Sequence, residues 1–244
     1  YSLDDIEWQG ALTAASADED GILWLDASAK SMKYDSDRGQ LLVATAPEAG
    51  PDGNSLLRVD PLTGTVVDRL VIGSQPRILA IDRLHDQVLL GLTGSSQCSR
   101  VDLSRNSVSE NCPLPSVTYG LNYQADSLWA IGAVPLPASE FSIVLSLRMP
   151  SFSDQSFVAV FDECKPRPDI ETKWWGIEKL AVVGDSSTVF GHPEVFWSVT
   201  PSGLSQATQH HSSLRDFNDW TACGSRIYTS AGEGFDPSSG TVVL

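Results

Sequence analysis

The chain has 244 residues, 41% of them hydrophobic and seven of them Trp, which excludes an intrinsically disordered protein. Its 31 Asp and Glu outnumber its 16 Lys and Arg, and a surface with a formal net charge of -15 repels phosphate backbones, so we expect no nucleic-acid partner. No apolar run approaches the roughly 18 residues needed to cross a bilayer, so we also expect no membrane insertion.

Residues 1–27 form an N-terminal segment that lies outside the repeated pattern of the remaining chain. Within it, the apolar run at residues 22–25 (ILWL) predicts a short strand. The chain begins at Tyr1 rather than Met, and it ends at Leu244 inside a strand pattern. We therefore interpret the sequence as a piece of a longer protein, with further domains or subunits attached to it.

A short pattern of strand, Asp or Thr, turn and strand recurs five times along residues 28–244. The copies begin at Leu56, Cys98, Val158, Val195 and Phe235. Repeats of roughly 40–50 residues with four strands each are typical of propeller blades. The sequence therefore predicts an all-β protein, a β-propeller of four-stranded antiparallel blades.

The predicted blades follow one another without a linker. They span approximately residues 28–76, 77–122, 123–175, 176–214 and 215–244. About five repeats are visible, so the chain is either a complete five-bladed ring or part of a seven-bladed one. In a complete ring, the strand at residues 22–25 would pair with the last blade and leave no exposed edge.

The four cysteines bear on the cellular compartment. Cys98 and Cys112 flank a turn centred near Arg105, and counting outward places them opposite each other on adjacent antiparallel strands. We expect a disulfide between them, the alternative being two buried thiols. A second pair, Cys164 with Cys223, is compatible with the sequence but not required by it. A disulfide predicts an extracellular, cell-surface or periplasmic protein.

The segments YDSDRGQLLVAT (residues 34–45), GNSLLRVDPLTGTVVDRLVIGSQPRILAID (53–82) and DQVLLGLTGSSQCSRVDL (86–103) resemble YVTN-type propeller repeats of bacterial extracellular and surface proteins. These repeats are similar to NHL and WD40-like propellers. The resemblance is strong over residues 28–122 and weak over 123–244, where Thr200 replaces the strand-end Asp. It implies a propeller, usually of seven blades, that is often one module of a larger secreted protein.

The strand-end aspartates have a structural interpretation and a functional one. Asp60, Asp102, Asp162 and Asp236 are expected to accept backbone N–H groups inside their own turns. The alternative is a ring of carboxylates that binds calcium. The nearest approach to a calcium loop is residues 18–21 (DEDG), which lack the distal ligands. We therefore expect no cofactor, with calcium as the one alternative.

Catalytic motifs are sparse. The four histidines are His85, His192, His210 and His211, and no Gly-x-Ser-x-Gly motif accompanies them. We interpret them as exposed loop residues. No glycine-rich phosphate-binding motif is present either, and the sequence thus favours a non-catalytic role.

Aromatic and arginine side chains predict a binding face. We place this face at the loops between the second and third strands of each blade and at the loops between blades. The candidate binding residues are Trp174, Trp175, Tyr119, Tyr123, His192, Arg77, Arg148 and Arg215. Such a combination suits sugars, peptides or a partner protein. The alternative is that Trp174 and Trp175 pack between blades.

Three functions compete. We favour a non-catalytic binding or scaffold module of a larger secreted or cell-surface protein, with a protein or carbohydrate partner. The second is a lactonase-like or quinoprotein-like propeller enzyme with a metal or cofactor in its central channel. Its scattered candidate residues are Glu48, Asp52, His192 and Glu233. The third is a structural subunit of an extracellular assembly.

Overall fold

A computed structural model describes most of the chain, and every structural statement below concerns the described residues. These are residues 10–12, 27–119, 123–125, 127–137, 141–150, 152–173, 177, 179–184, 187–191, 195–209, 220–229, 233–236 and 241–243. They are almost entirely β-strands and turns, with one 3-10 turn at Gly50–Asp52. Among them, no helix has the length and apolar character to span a bilayer.

The chain divides into two compact units, which are described separately. Unit 1 comprises Tyr1–Ala130 and unit 2 comprises Ile131–Leu244.

Unit 1 begins with a five-stranded antiparallel sheet in sequential order. Its strands are β1 (Gly10–Leu12), β2 (Ala27–Asp35), β3 (Gln40–Thr45), β4 (Ser55–Val59) and β5 (Val66–Val71). We call β2–β5 blade 1. The short β1 pairs with β2. The predicted strand at residues 22–25 lies outside the described residues, so its ring-closing role stays a prediction.

The second sheet of unit 1, blade 2, repeats the four-stranded order. Its strands are β6 (Pro76–Asp82), β7 (Gln87–Leu92), β8 (Gln97–Asp102) and β9 (Ser107–Pro113). A separate two-stranded hairpin follows, formed by β10 (Val117–Tyr119) and β11 (Tyr123–Ala125).

The first sheet of unit 2, blade 3, has a divided last strand. Its strands are β12 (Trp129–Pro135), β13 (Ser142–Met149), β14 (Phe152–Asp162), β15 (Lys165–Pro166) and β16 (Glu171–Lys173). Both β15 and β16 pair with β14, at different stretches of it. The two short strands thus share the position that one strand holds in the other blades.

Two four-stranded sheets complete unit 2. Blade 4 consists of β17 (Leu180–Val183), β18 (Thr188–Gly191), β19 (Val195–Thr200) and β20 (Gly203–Gln209). Blade 5 consists of β21 (Trp220–Cys223), β22 (Arg226–Thr229), β23 (Gly234–Asp236) and β24 (Thr241–Val243). Both sheets are antiparallel and sequential, which confirms the predicted four-stranded plan.

The core of unit 1 lies between its two blades. Successive strand residues point to opposite sheet faces, so Leu42 and Leu56 of blade 1 join Ile78 and Leu90 of blade 2 in one fully buried cluster. The opposite face of blade 1 buries a second cluster, which includes Val43. Because both faces exclude water, the middle strands are continuously apolar rather than alternating.

Unit 2 follows the same principle with larger side chains. On blade 4, Trp197 packs in a cluster shared with blade 3, whereas Phe190 and Phe196 face blade 5. The Phe190 ring meets Trp220 of blade 5 edge-on, with centroids 4.7 Å apart. Aromatic pairs of this geometry stabilise a contact beyond the area that they bury.

A cationic side chain also links neighbouring blades within each unit. Arg58 of blade 1 donates to the backbone oxygen of Leu103, which follows β8 of blade 2, at 3.2 Å. Similarly, Arg167 donates to the Thr200 carbonyl, and Lys179 donates to the Trp220 carbonyl. Each of these bonds satisfies a backbone carbonyl at or beside the end of a strand.

The cysteine pairing corrects the sequence prediction. Cys98 and Cys112 are opposed on β8 and β9 as expected, but Cys98 is a buried free thiol. The disulfide-bonded cysteines are Cys112 and Cys164, so the predicted Cys98–Cys112 bridge is wrong. Directly opposed residues have Cβ atoms about 4.5–5.5 Å apart, which exceeds the roughly 3.8 Å of a relaxed disulfide.

The second predicted pair, Cys164 with Cys223, is wrong as well. Cys223 is an exposed free thiol at the end of β21, directly before the turn to β22. The expectation that the chain contains a disulfide is nevertheless confirmed.

Candidate functional site

Four of the eight predicted binding residues cannot be placed. Trp174, Trp175, His192 and Arg215 lie outside the described residues. Tyr119 and Tyr123 are directly opposed in the β10–β11 hairpin. Arg148 lies on β13 of unit 2, opposite Ser156, and is partly buried. Arg77, another member of the predicted set, lines a cavity.

This cavity, which we call the Arg77 cavity, opens between the first strands of blades 1 and 2 in unit 1. Its volume is about 340 Å³. The lining residues are Ser28, Ala29, Lys30, Ala46, Glu48, Gln75, Pro76, Arg77 and Thr93. Sites for small ligands have volumes of roughly 300–1,000 Å³, so the Arg77 cavity has room for a small molecule.

Sheet register explains why these residues meet. Ala29 at the start of β2 pairs with Thr45 at the end of β3, and Pro76 at the start of β6 pairs with Leu92 at the end of β7. The lining therefore comes from the same end of the strands in both blades. At this end the second strand of each blade leads into the third, and blade 1 leads into blade 2. This is the face on which the sequence predicted binding.

The cavity is built from equivalent positions of two successive repeats. Lys30 precedes the strand-end Asp35 by the same five residues by which Arg77 precedes Asp82. The residues before them also correspond, because Ser28-Ala29 in blade 1 matches Gln75-Pro76 in blade 2. The repeat therefore places two cations side by side at one cavity.

The rim of the cavity is held in an uncommon backbone conformation. Gln75 has a φ of 54°, in the left-handed region that glycine favours. Its N–H donates to Asn54 Oδ1 at 2.9 Å, and its side-chain Oε1 accepts from Thr93 Oγ1 at 3.1 Å. Conformations of this kind are retained where the surrounding bonds define them, and they often occur at functional sites.

The charges that line the cavity set it apart from the rest of this acidic chain. Lys30 and Arg77 are cations, and Glu48 is the one carboxylate among the lining residues. Lys30 is exposed and forms no hydrogen bond or ion pair with any described residue. In contrast, Arg69 and Arg100 are bound by carboxylates of their own blades, at 3.0 and 3.1 Å.

In a second cavity, in unit 2, charged side chains of the lining bind each other. It is lined by Phe141, Ser142, Asp162, Glu163, Lys165, Pro166, Arg167, Pro168 and Pro201, and its volume is about 670 Å³. Arg167 binds Asp162 through Nε at 2.8 Å and Nη2 at 2.9 Å. The Arg167 guanidinium lowers the pKa of Asp162, with a smaller contribution from the Ser142 hydroxyl. These groups satisfy each other, so they are less available to a ligand.

The strand-end aspartates of unit 1 have the expected structural role. Asp60 accepts the N–H of Leu62 at 2.8 Å, and Asp102 accepts the N–H of Ser104 at 2.9 Å. These local hydrogen bonds lower the pKa of both carboxyls, chiefly through the Leu62 N–H for Asp60 and the Ser104 hydroxyl for Asp102. The acidic loop at residues 18–21 lies outside the described residues.

The candidate residues of the enzyme hypothesis have different surroundings. Glu48 lines the Arg77 cavity, whereas Asp52 is bound by Arg69. Glu233 lies beside Thr229, and the backbone groups of the two residues are joined by a hydrogen bond at 3.0 Å. His192 is not among the described residues. His85 contacts Asp82 through Nδ1 at 2.7 Å in the β6–β7 turn, which is a local pair within one blade.

Sequence reasoning missed Lys30, Gln75 and Thr93 as parts of the site. Lys30 could have been found, because an alignment of the sequence repeats at their strand-end aspartates places it opposite Arg77. Gln75 and Thr93 carried no such signal. Their contribution arises from a left-handed turn and a side-chain contact that single-sequence patterns do not encode.

Comparison with known proteins finds similarity in fold but not in sequence. No family model matches the sequence, and none of the curated proteins is a significant match. The β-propeller domain of Cps50 (Swd1) from Myceliophteria thermophila is similar in structure, with a TM-score of 0.57 and 12% identity over 91% of this chain and 75% of that one. The dihydro-heme d1 dehydrogenase NirN, solved in complex with DHE, has a TM-score of 0.58 and 12% identity over 94% of this chain.

The present chain spans about half of NirN, covering 48% of its length. At this level of identity the likeness shows the fold alone. Together with the antiparallel four-stranded sheets, it identifies the chain as a β-propeller.

Proposed function

We propose that the chain is a non-catalytic binding module of a larger secreted or cell-surface protein, and that its ligand binds in the Arg77 cavity. The observation that carries the proposal is the cavity itself, with Lys30 and Arg77 placed together by equivalent positions of two repeats. Propellers host many unrelated functions, so the fold alone does not support this assignment.

The arrangement of charge supports binding over a purely structural role. Lys30 forms no bond with other described residues, so the packing of blades 1 and 2 does not account for it. Blade contact is instead maintained by the apolar cluster around Leu42 and by the Arg58 bond to the Leu103 carbonyl. A cation that packing does not require is available to a ligand.

The proposed location outside the cytoplasm rests on the disulfide-bonded Cys112 and Cys164, because such bonds persist in oxidising compartments. The resemblance to YVTN-type repeats agrees with it. The partner in this proposal is a carbohydrate or protein of the extracellular medium or of a cell surface. The proposed role needs no cofactor, and calcium remains the alternative.

Binding of the purified chain to arrays of glycans and peptides tests the proposal. The variants Lys30→Gln and Arg77→Gln each remove one cavity cation. Arg105→Gln is the matched control, because this arginine is 81% exposed in the β8–β9 turn of the same unit. We expect wild type and the control to bind a common set of ligands and the two cavity variants to lose that set.

Retention of all array signals by both cavity variants would contradict the proposed site. Turnover of an array ligand or of a lactone by the wild-type chain would contradict the non-catalytic role. Because Lys30 is exposed, its substitution should leave the fold intact, and circular dichroism checks this.

A further inference from the structure

We infer that the Arg77 cavity recognises an acidic monosaccharide of the uronate type, with the sugar carboxylate between Lys30 and Arg77 and the hydroxyls against the polar rim. This inference rests on the proposed function and names its ligand class. The charges, hydrogen-bonding groups and size of the cavity support it.

Formal charge selects a singly charged anion. Lys30 and Arg77 supply two positive charges and Glu48 one negative charge, so the lining carries a net charge of about +1 at neutral pH. A carboxylate monoanion neutralises this lining. A phosphate carries up to two negative charges at pH 7, so it would leave uncompensated repulsion against Glu48 and the acidic chain around it.

Arginine and lysine are well suited to hold such a group. A guanidinium presents a planar fork that matches a carboxylate, and an ammonium adds a compact charge beside it. The two side chains originate from equivalent positions of β2 and β6, so they flank the same opening. The carboxylate is therefore placed between these two donors.

The remaining polar groups fit hydroxyls. The Glu48 carboxylate is an acceptor, and the Ser28 hydroxyl both donates and accepts. The Gln75 amide nitrogen is a donor, and the oxygen of the same amide accepts a hydrogen bond from Thr93. A ring of mixed donors and acceptors suits a polyhydroxylated ligand, because each hydroxyl can both donate and accept. A uronate supplies one carboxylate and several hydroxyls within one ring.

The apolar lining argues against a peptide terminus. Apart from the stems of the polar residues, it consists of Ala29, Ala46 and Pro76. A peptide carboxylate would bring a side chain that needs an apolar recess of its own, and these three small residues provide only a shallow wall. A cavity of about 340 Å³ at the lower end of the range for small-molecule sites instead suits a ligand of one or two sugar rings.

Titration with matched sugars, followed by saturation-transfer NMR, tests the inference. Glucuronate and galacturonate are compared with glucose and galactose, which carry a hydroxymethyl group in place of the carboxylate. N-acetylglycine supplies one carboxylate without a sugar, and inorganic phosphate supplies a different anion. We expect both uronates to bind, and each of the other four probes to bind at least about tenfold more weakly.

Variants locate the contact. Lys30→Gln and Arg77→Gln should each weaken uronate binding by about tenfold or more, and Arg105→Gln should leave it unchanged. Raising the salt concentration should weaken uronate binding in the wild type, because Lys30 is exposed and its charge is screened.

Equal binding of glucose and glucuronate, lost in both cavity variants, would overturn the inference and leave the proposed binding site in place. Preference for N-acetylglycine or phosphate over the uronates, with the same loss, would also overturn only the ligand class. No binding of any probe would overturn the uronate assignment. If the cavity variants then also keep every array ligand, the proposed function fails with it.

Discussion

Lys30 and Arg77 show how a repeat can create a site that neither repeat holds alone. Each lies five residues before the strand-end Asp of its own blade, and both line one cavity because β2 and β6 are successive first strands. In a chain with nearly twice as many acidic as basic residues, this cavity is lined by two cations and one carboxylate.

Cysteine reactivity is a direct prediction at the residue scale. Burial raises the pKa of the Cys98 thiol to about 12, so this residue holds very little reactive thiolate at neutral pH. Cys223 is exposed. We expect a thiol reagent such as DTNB to label Cys223 alone in the native protein, and both Cys223 and Cys98 once the chain is unfolded without reductant.

Mass spectrometry of the labelled peptides identifies the sites, and reduction before unfolding should expose Cys112 and Cys164 in addition. Absence of label on Cys98 in the unfolded, unreduced chain would mean that it is bonded, contrary to this assignment.

The Asp162–Arg167 pair predicts how stability depends on pH. The pKa of Asp162 is lowered by Arg167, so its contribution is fully present above the ordinary carboxyl value and is lost as the pH falls through the lowered folded-state value. Asp162→Asn should therefore destabilise the protein at pH 7 and have less effect near pH 2. Urea unfolding at both pH values measures this difference.

Glu163→Gln is the matched control, because this exposed neighbour is a carboxylate in the same turn. We expect it to have little effect at either pH. An Asp162→Asn variant that loses the same stability at both pH values would show that the ion pair is not the cause.

At the scale of elements, the loop after β7 lies close to the β5–β6 connection at the rim of the Arg77 cavity, and this contact predicts the effect of a substitution at Gly94. A Cβ atom on Gly94 would overlap Ser74 Oγ and lie 2.6 Å from Ser74 Cβ. Gly94→Ala should therefore push the β5–β6 connection outward and cost about 1–3 kcal/mol in the free energy of unfolding. Because the same connection carries Gln75 and leads into β6, whose second residue is Arg77, ligand binding should weaken as well.

Ser74→Gly supplies the second half of a double-mutant cycle. It removes both clashing atoms, so the Gly94→Ala/Ser74→Gly variant should recover most of the lost stability, as measured by urea unfolding. Additive losses in the double variant would refute the steric explanation.

Packing between blades 4 and 5 predicts a strong contrast between two aromatic residues. Phe190 is 1% exposed and contacts Phe196 and Trp220, whereas Tyr228 is 38% exposed on β22. Phe190→Ala should cost about 3–5 kcal/mol, and Tyr228→Ala should change stability by no more than about 0.5 kcal/mol. Similar losses for both variants in chemical denaturation would contradict the inter-blade core.

Strands that repeat were predictable, and strands that depend on tertiary contact were not. The order of blades 1 and 2 and the opposition of Cys98 and Cys112 follow from counting residues around turns. The divided last strand of blade 3 follows no repeat, because β15 and β16 are two and three residues long and exist through their pairing with β14. The state of the cysteines was equally hidden, since counting residues around the turn favours the directly opposed Cys98, which is a free thiol, whereas Cys112 and Cys164 are disulfide-bonded.

At the scale of the whole molecule, the sequence predicted the fold more fully than the site. Apolar runs and turn residues recur in every blade, so β-propeller architecture is encoded many times over. The site is encoded once, by a few side chains at one edge of unit 1. Arg77 was among the predicted binding residues and its role in binding stays a prediction, whereas the residues around it in the cavity could not be predicted from the sequence.

Chemical-shift mapping tests the central claim most directly. The backbone ¹H–¹⁵N spectrum of the assigned protein is recorded as the ligand found by the arrays is added. We predict that the largest shifts fall on Lys30, Glu48, Gln75, Arg77 and Thr93, and that they disappear in Arg77→Gln. Largest shifts in unit 2, with the residues of the Arg77 cavity unmoved, would contradict the account.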